Sequence, residues 1–182
     1  MRYGGRLSRV EFTALIDEQA GRVRASAGRL PLYRPVGWSG PCRLGTWGWE
    51  NDRLLHAGLH FGTPDAWIEI VTTAGPPMPE LINLRLSSSD EIFDDRALDA
   101  PERMTIVVDG APRDCSLWPD QPLDESLSRG WLAILDEVPG LLLRAAGVDP
   151  AGLALARTGD LEPHLTGTRD HLLAGYDAFG TG

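Results

Sequence analysis

The chain contains no lysine. All seventeen basic residues are arginine, so a Schiff-base amine, a P-loop lysine and a Ser-Lys dyad are excluded from its chemistry. So complete a replacement is the imprint expected of a GC-rich bacterial coding sequence. Cysteine is scarce as well. Cys42 and Cys115 stand far apart with no CxxC spacing, which gives neither a disulfide framework nor a zinc-ligand pair. Positive charge is in short supply overall. A formal net charge of −9 sets a field that repels phosphate backbones, so nucleic acid is not an expected partner. The densest basic spot, Arg22 and Arg24, is too small for a nucleic-acid footprint. The opening residues "MRYGGRLSRVEF" lack the apolar centre of a signal peptide, and no apolar run approaches a membrane span. The expected setting is the cytoplasm, with no membrane partner. No G-x-G-x-x-G follows a strand pattern, and "GWSGP" around Ser39 has Pro41 where a nucleophile elbow needs glycine. No cofactor is expected.

What the chain does have is the makings of one domain. Its 182 residues, 42% apolar and 24% charged, are enough for a single α+β core. The 21 glycines and 14 prolines imply many turns. Residues 8–27 predict a helix, opened by an S-x-x-E capping box from Ser8 to Glu11. Phe12, Leu15, Ile16, Gln19 and Val23 follow at helical spacing. "GRLPLYRPVGWSGP" reads as a connector. From Cys42 the period becomes two, with strands in "RLGTWGWE", "RLLHAGLHFG" and "AWIEIVTT", joined at Asn51-Asp52 and "GTPD". "LINLRL" is a further strand candidate, and Asp90–Leu98 could hold one helical turn. "MTIVVDGAPRDCSLW" is a hairpin around Asp109-Gly110, and "WLAILDEVPGLLLRAAG" another around Pro139-Gly140. "VDPAGLALART" suits a short helix capped by Asp149 or, almost as well, a short strand. Asp160 caps a last helix carrying Leu161, Leu165, Leu172 and Tyr176. The expected architecture is a bent antiparallel meander of six or seven strands, over residues 42–147, open to partial-barrel closure. An N-terminal helix and a C-terminal helical segment at about 149–176 flank it.

The stretch "CRLGTWGWENDRLLHAGLHFG" concentrates the candidate ligand-binding residues: Trp47, Trp49, His56, His60 and Arg43. His56 and His60 have the i,i+4 spacing of a zinc helix, but the flanking pattern is β and the general-base Glu is missing. Four residues of strand rise about 13 Å, too far for two imidazoles on one metal at about 2 Å. A simple hairpin register sets Trp47 opposite His56, Trp49 opposite Leu54 and Arg43 opposite His60. Pairing Phe61 with Trp67 would bring Ile68 and Ile70 to the histidine side and send Glu69 to the other. A bulge at Gly48 or Gly58 would flip everything beyond it. Both faces are then largely apolar, so the histidines are either sealed core residues or members of an aromatic pocket or partner patch.

The remaining constellations are weaker. The acidic run from Asp90 to Glu102 reads as a solvated loop with no EF-hand pattern. His164 and His171, about 10 Å apart along a helix, cannot share one metal. Asp160 and His164 suit an ordinary ion pair, and Cys42 with a distant histidine is weaker than Cys42 as a small hydrophobe. Three functions follow. The first is a non-catalytic binding or accessory protein recognising a small molecule or a protein through the aromatic sheet face. The second is a small cofactor-independent enzyme with His56 or His60 as general acid/base. The third is an acidic, immunity-type protein facing a basic partner.

Overall fold

A computed structural model describes residues 7–26, 30–50, 53–75, 100–122, 129–135 and 140–180. The first helix, α1 (Arg9–Ser26), begins where the capping box places it. The Ser8 backbone N–H donates to Glu11 Oε2 at 2.7 Å, and the Glu11 N–H donates to Ser8 Oγ at 3.3 Å. Two amides with no helical acceptor are satisfied reciprocally. The last helix, α2 (Glu162–Gly180), is capped as its sequence predicts, with the Glu162 N–H donating to Asp160 Oδ1 at 3.0 Å. The helices run antiparallel. Arg9, at the start of α1, pairs with Asp177 near the end of α2, and Arg24 near the end of α1 pairs with Glu162. Phe12 stacks on Tyr176 between them, with ring centroids 5.0 Å apart.

Among the described residues nine strands form one sheet: β1 (Tyr33–Pro35), β2 (Cys42–Glu50), β3 (Arg53–Gly62), β4 (Trp67–Thr73), β5 (Glu102–Val108), β6 (Ala111–Pro122), β7 (Arg129–Leu135), β8 (Gly140–Ala146) and β9 (Ala154–Arg157). Their order is β1-β9-β5-β6-β7-β8-β4-β3-β2, curled as a half-barrel. The predicted α+β class with a bent, mainly antiparallel sheet holds. The strand count exceeds expectation because β1 and β9, three and four residues long, are too short to show a period. The Asp149 carboxylate accepts the Ala151 N–H in a turn, and the chain after it forms β9 rather than a helix. β9 lies parallel to β5, which breaks the simple meander, and β4 and β8 join two meanders edge to edge. The β5–β6 hairpin turns on Asp109 and Gly110, at φ 50° and 81°, the left-handed pair a tight hairpin requires. The turns at 51–52 and 136–139, the "LINLRL" strand candidate, the 90–98 helical turn and nearly all of the acidic run lie outside the described residues.

Along β4, β7 and β8 both sheet faces are buried and largely apolar, whereas β5 is exposed on one face. The helix-side core includes Leu59, Ile68, Ile70, Leu143, Val23 of α1 and Leu165 of α2. On the far face Val71, Leu132, Ile134 and Leu142 form a second cluster against Trp118. Each such side chain contributes roughly 1.5–3 kcal/mol of transfer free energy. β2 ends the sheet, and α2 covers part of its edge. The Leu44 N–H donates to Thr168 Oγ1 at 2.6 Å, and that hydroxyl donates to the His164 carbonyl at 2.7 Å. Gly167 permits the approach, since a Cβ there would collide with the Cys42 carbonyl. The edge amide is thereby withdrawn from pairing with another chain. No described helix is long and apolar enough to cross a membrane.

Candidate functional site

The register of β2, β3 and β4 decides which predicted residues meet. Arg43 pairs with His60, and Trp49 with Leu54, as expected. Shifts after Leu44 and after Gly48 set Trp47 against Ala57, while Gly48 takes the place opposite His56. Trp47 and His56 therefore do not pair. A Cβ on Gly48 would overlap the His56 imidazole, so the glycine makes room for the ring. The next hairpin also departs from expectation by one residue: Phe61 pairs with Ile68, and His60 with Glu69. A one-residue slip exchanges the faces of a strand. Ile68 and Ile70 go to the helix-side core, while Trp67 and Glu69 come to the histidine side, the reverse of the expected arrangement.

The result is a charged row across four strands. Arg43 in β2, His60 in β3, Glu69 in β4 and Arg144 in β8 are successive cross-strand partners. Glu69 is 1% exposed and meets Arg144 at 2.6 Å to Nε and 2.5 Å to Nη2. Trp67 forms a floor. The His60 ring stacks on it at 5.3 Å, and the Arg144 guanidinium sits 5.5 Å from its centroid. Burial, then Arg43, lowers the pKa of His60 to about 4, with Arg144 and His171 adding to the effect and Glu69 opposing it. At neutral pH the imidazole is uncharged. Within the row the buried Glu69 is neutralised by Arg144, as buried charge must be.

A second polar site lies on the helix side, where β1, β9 and the start of α2 meet. A cleft of about 310 Å³ is bounded by Arg34, Trp38, Cys42, Phe61, Arg157 and His164, with Thr158, Asp160 and glycines 40 and 159 at its margins. Three buried side-chain polar atoms have no hydrogen-bond partner among the described residues, and two belong to this lining: Trp38 Nε1 and His164 Nδ1. The buried Trp131, by contrast, donates its indole N–H to the Val148 carbonyl at 2.6 Å. His164 is 5% exposed, its ring edge-on to Phe61 at 5.7 Å. Burial and then Arg34 pull its pKa below the usual histidine range, against Asp160. Burial also pushes the Cys42 thiol up, partly opposed by Arg34. Cys42 and His164 line one cleft, but neither is tuned as a thiolate–imidazolium pair would require.

Sequence reading put Asp160 at a cap, left Arg34 and Trp38 in a connector, and placed Arg157 at the end of a segment open to helix or strand. The cleft draws on four separated stretches, and the one local sign was the Trp38-Ser-Gly40 turn. A Cβ on Gly40 would sit 2.7 Å from Trp38 Nε1, so the glycine lets the indole fold back. Among the described residues no three His, Cys, Asp or Glu side chains are grouped to hold a metal ion. Comparison with protein-family models, with curated proteins and with solved structures finds no match for this chain.

Proposed function

We propose that the chain is a non-catalytic binding protein that takes a small molecule in the cleft between β1, β9 and the start of α2. The observation that carries this reading is the pair of unpartnered polar atoms, Trp38 Nε1 and His164 Nδ1, beside two guanidinium groups in one concavity. A buried polar atom without a partner costs about 1–3 kcal/mol, and a ligand supplying the partner recovers that cost. Cavities of a few hundred Å³ with a few convergent polar groups are the usual form of small-molecule sites.

The general-base alternative has less behind it. A base with a pKa of about 4 is weak at neutral pH, and the one carboxylate in its row is held by Arg144. Recognition of a protein partner along the Trp47–Trp49 part of β2 is a second reading, favoured by the place of β2 as the terminal strand. A thermal-shift screen of the full chain against a metabolite library separates the two. Hits should raise the melting temperature of the wild type, and Trp38→Phe should abolish or reduce the shift. Hits that survive Trp38→Phe and vanish in Trp47→Ala would move the site to β2.

A further inference from the structure

Resting on the reading of this cleft as the ligand site, the geometry points to a small organic anion as its occupant: a carboxylate or phosphate on a body about the size of a benzene ring. The donor inventory of the lining is the first ground. Arg34 and Arg157 face one carboxylate, Asp160, and Asp160 is committed to the Glu162 N–H as the cap of α2. One Arg34 nitrogen, Nη2, donates to the Trp38 carbonyl at 3.2 Å. Arg157 is steadied by Asp109, 3.3 Å from its Nε, and by a side-chain hydrogen bond to Tyr33. A guanidinium carries five N–H donors in a fork that suits carboxylate and phosphate oxygens, so both arginines keep donors for a ligand. The first turn of the 19-residue α2 adds the partial positive charge of a helix N-terminus. With Asp109 counted, two carboxylates match the two arginines, so what the cleft offers an anion is open guanidinium N–H donors rather than surplus charge.

The rest of the lining gives the occupant its shape. Trp38 and Phe61 meet edge to face at 6.4 Å and offer apolar walls to a ring or a short aliphatic body. The tautomer of His164 follows from its neighbour. Thr158 Oγ1 donates to the Asp160 carbonyl at 3.0 Å, so toward His164 Nε2, 3.4 Å away, its oxygen accepts. The imidazole proton is then on Nε2, and Nδ1 is a bare acceptor. The lining thus pairs one neutral donor, the Trp38 indole N–H, with one neutral acceptor. An anion that also bears a hydroxyl meets both: an anionic oxygen for the arginines and the indole, and an O–H for His164.

Isotope-labelled full-length protein titrated with phenylacetate, mandelate, phenyl phosphate, phenylacetamide and phenethylamine tests this. The three anions should saturably shift the Trp38 indole and His164 ring resonances, with mandelate binding more tightly than phenylacetate. Arg34→Gln and Arg157→Gln, both at exposed positions, should each weaken anion binding about tenfold without changing the melting temperature. Tighter binding of phenyl phosphate than of phenylacetate would assign the anion as phosphate, and the reverse as carboxylate. Phenylacetamide or phenethylamine binding at Trp38 as tightly as phenylacetate would overturn the anion class and leave the small-molecule reading standing. If no probe and no compound of a broad metabolite library moves either resonance, the reading of the cleft as a ligand site falls as well.

Discussion

Along the sheet face, Arg43, His60, Glu69 and Arg144 occupy consecutive strands of one ladder row, where Glu69 is paired with Arg144 and His60 is stacked on Trp67. Beside the start of α2, the half-buried Trp38 and the buried His164 each keep a buried polar atom without a partner among the described residues. Both regions hold a histidine displaced toward its neutral form by burial, and both place arginines near it. The difference lies in what is already bound. Polarity that is paired internally adds to the fold's specificity and leaves little for a ligand. Polarity left unpaired in a concave place weakens the fold slightly and is available to one.

The largest effect expected from breaking this contrast is in the row. Glu69→Gln leaves Arg144 and Arg43 facing each other across a position 1% exposed, and removing one member of a buried pair costs about 3–5 kcal/mol. Urea unfolding should show a lower midpoint of that size. A loss below about 1 kcal/mol would mean that the row is solvated and open to a ligand.

Acid should expose the same row more gently. The folded pKa of His60, about 4, lies below its ordinary value of 6.5, so between these pH values the unfolded chain binds more protons than the folded one. The stability contributed by a neutral His60 is complete above pH 6.5 and is lost as pH falls toward 4. Partial burial reduces the loss to about 2 kcal/mol. His164 and His171 shift the same way, so His60→Gln should flatten the decline without removing it. Stability that rises on acidification from pH 6.5 would point to a charged His60 paired with Glu69.

The smallest effect belongs to the cleft. Trp38→Phe removes a donor that has no acceptor and keeps an aromatic ring, so the unfolding free energy should change by less than about 1 kcal/mol. Ligand binding in the same variant should weaken. A large destabilisation would make the indole N–H a structural donor and would erase the distinction between the two regions.

Sequence reading was surest where interactions are short in range. The Ser8–Glu11 box, the Asp160 cap and the Asp109-Gly110 turn each depend on a few neighbouring residues and were visible as such. Strand composition implied burial on both faces, which holds along β4, β7 and β8 and not along β5. It missed β1 and left β9 open between helix and strand; β5 offers β9 an edge, as in the Asp109 N–H bond to the Leu155 carbonyl at 2.9 Å, and β9 in turn pairs with β1. Arg43 opposite His60 was legible from the hairpin. Glu69 beside His60 was not, because a slip of one residue decides it.

Composition by itself settled which lysine chemistries are absent and gave the chain its acidic field, since neither depends on shape. Local pattern settled the helix caps and the hairpin at Asp109-Gly110, because a cap or a tight turn is formed by residues adjacent in the chain. Only the tertiary structure decided the register of β2, β3 and β4, where glycines at 45 and 48 allow shifts that reassign faces. Only it brought Arg34, Trp38, Phe61, Arg157 and His164 to one cleft. Those residues lie up to 130 positions apart, and no local rule relates them. Their meeting follows from β9 pairing with β1 and from α2 closing against the β2 edge, both products of long-range packing.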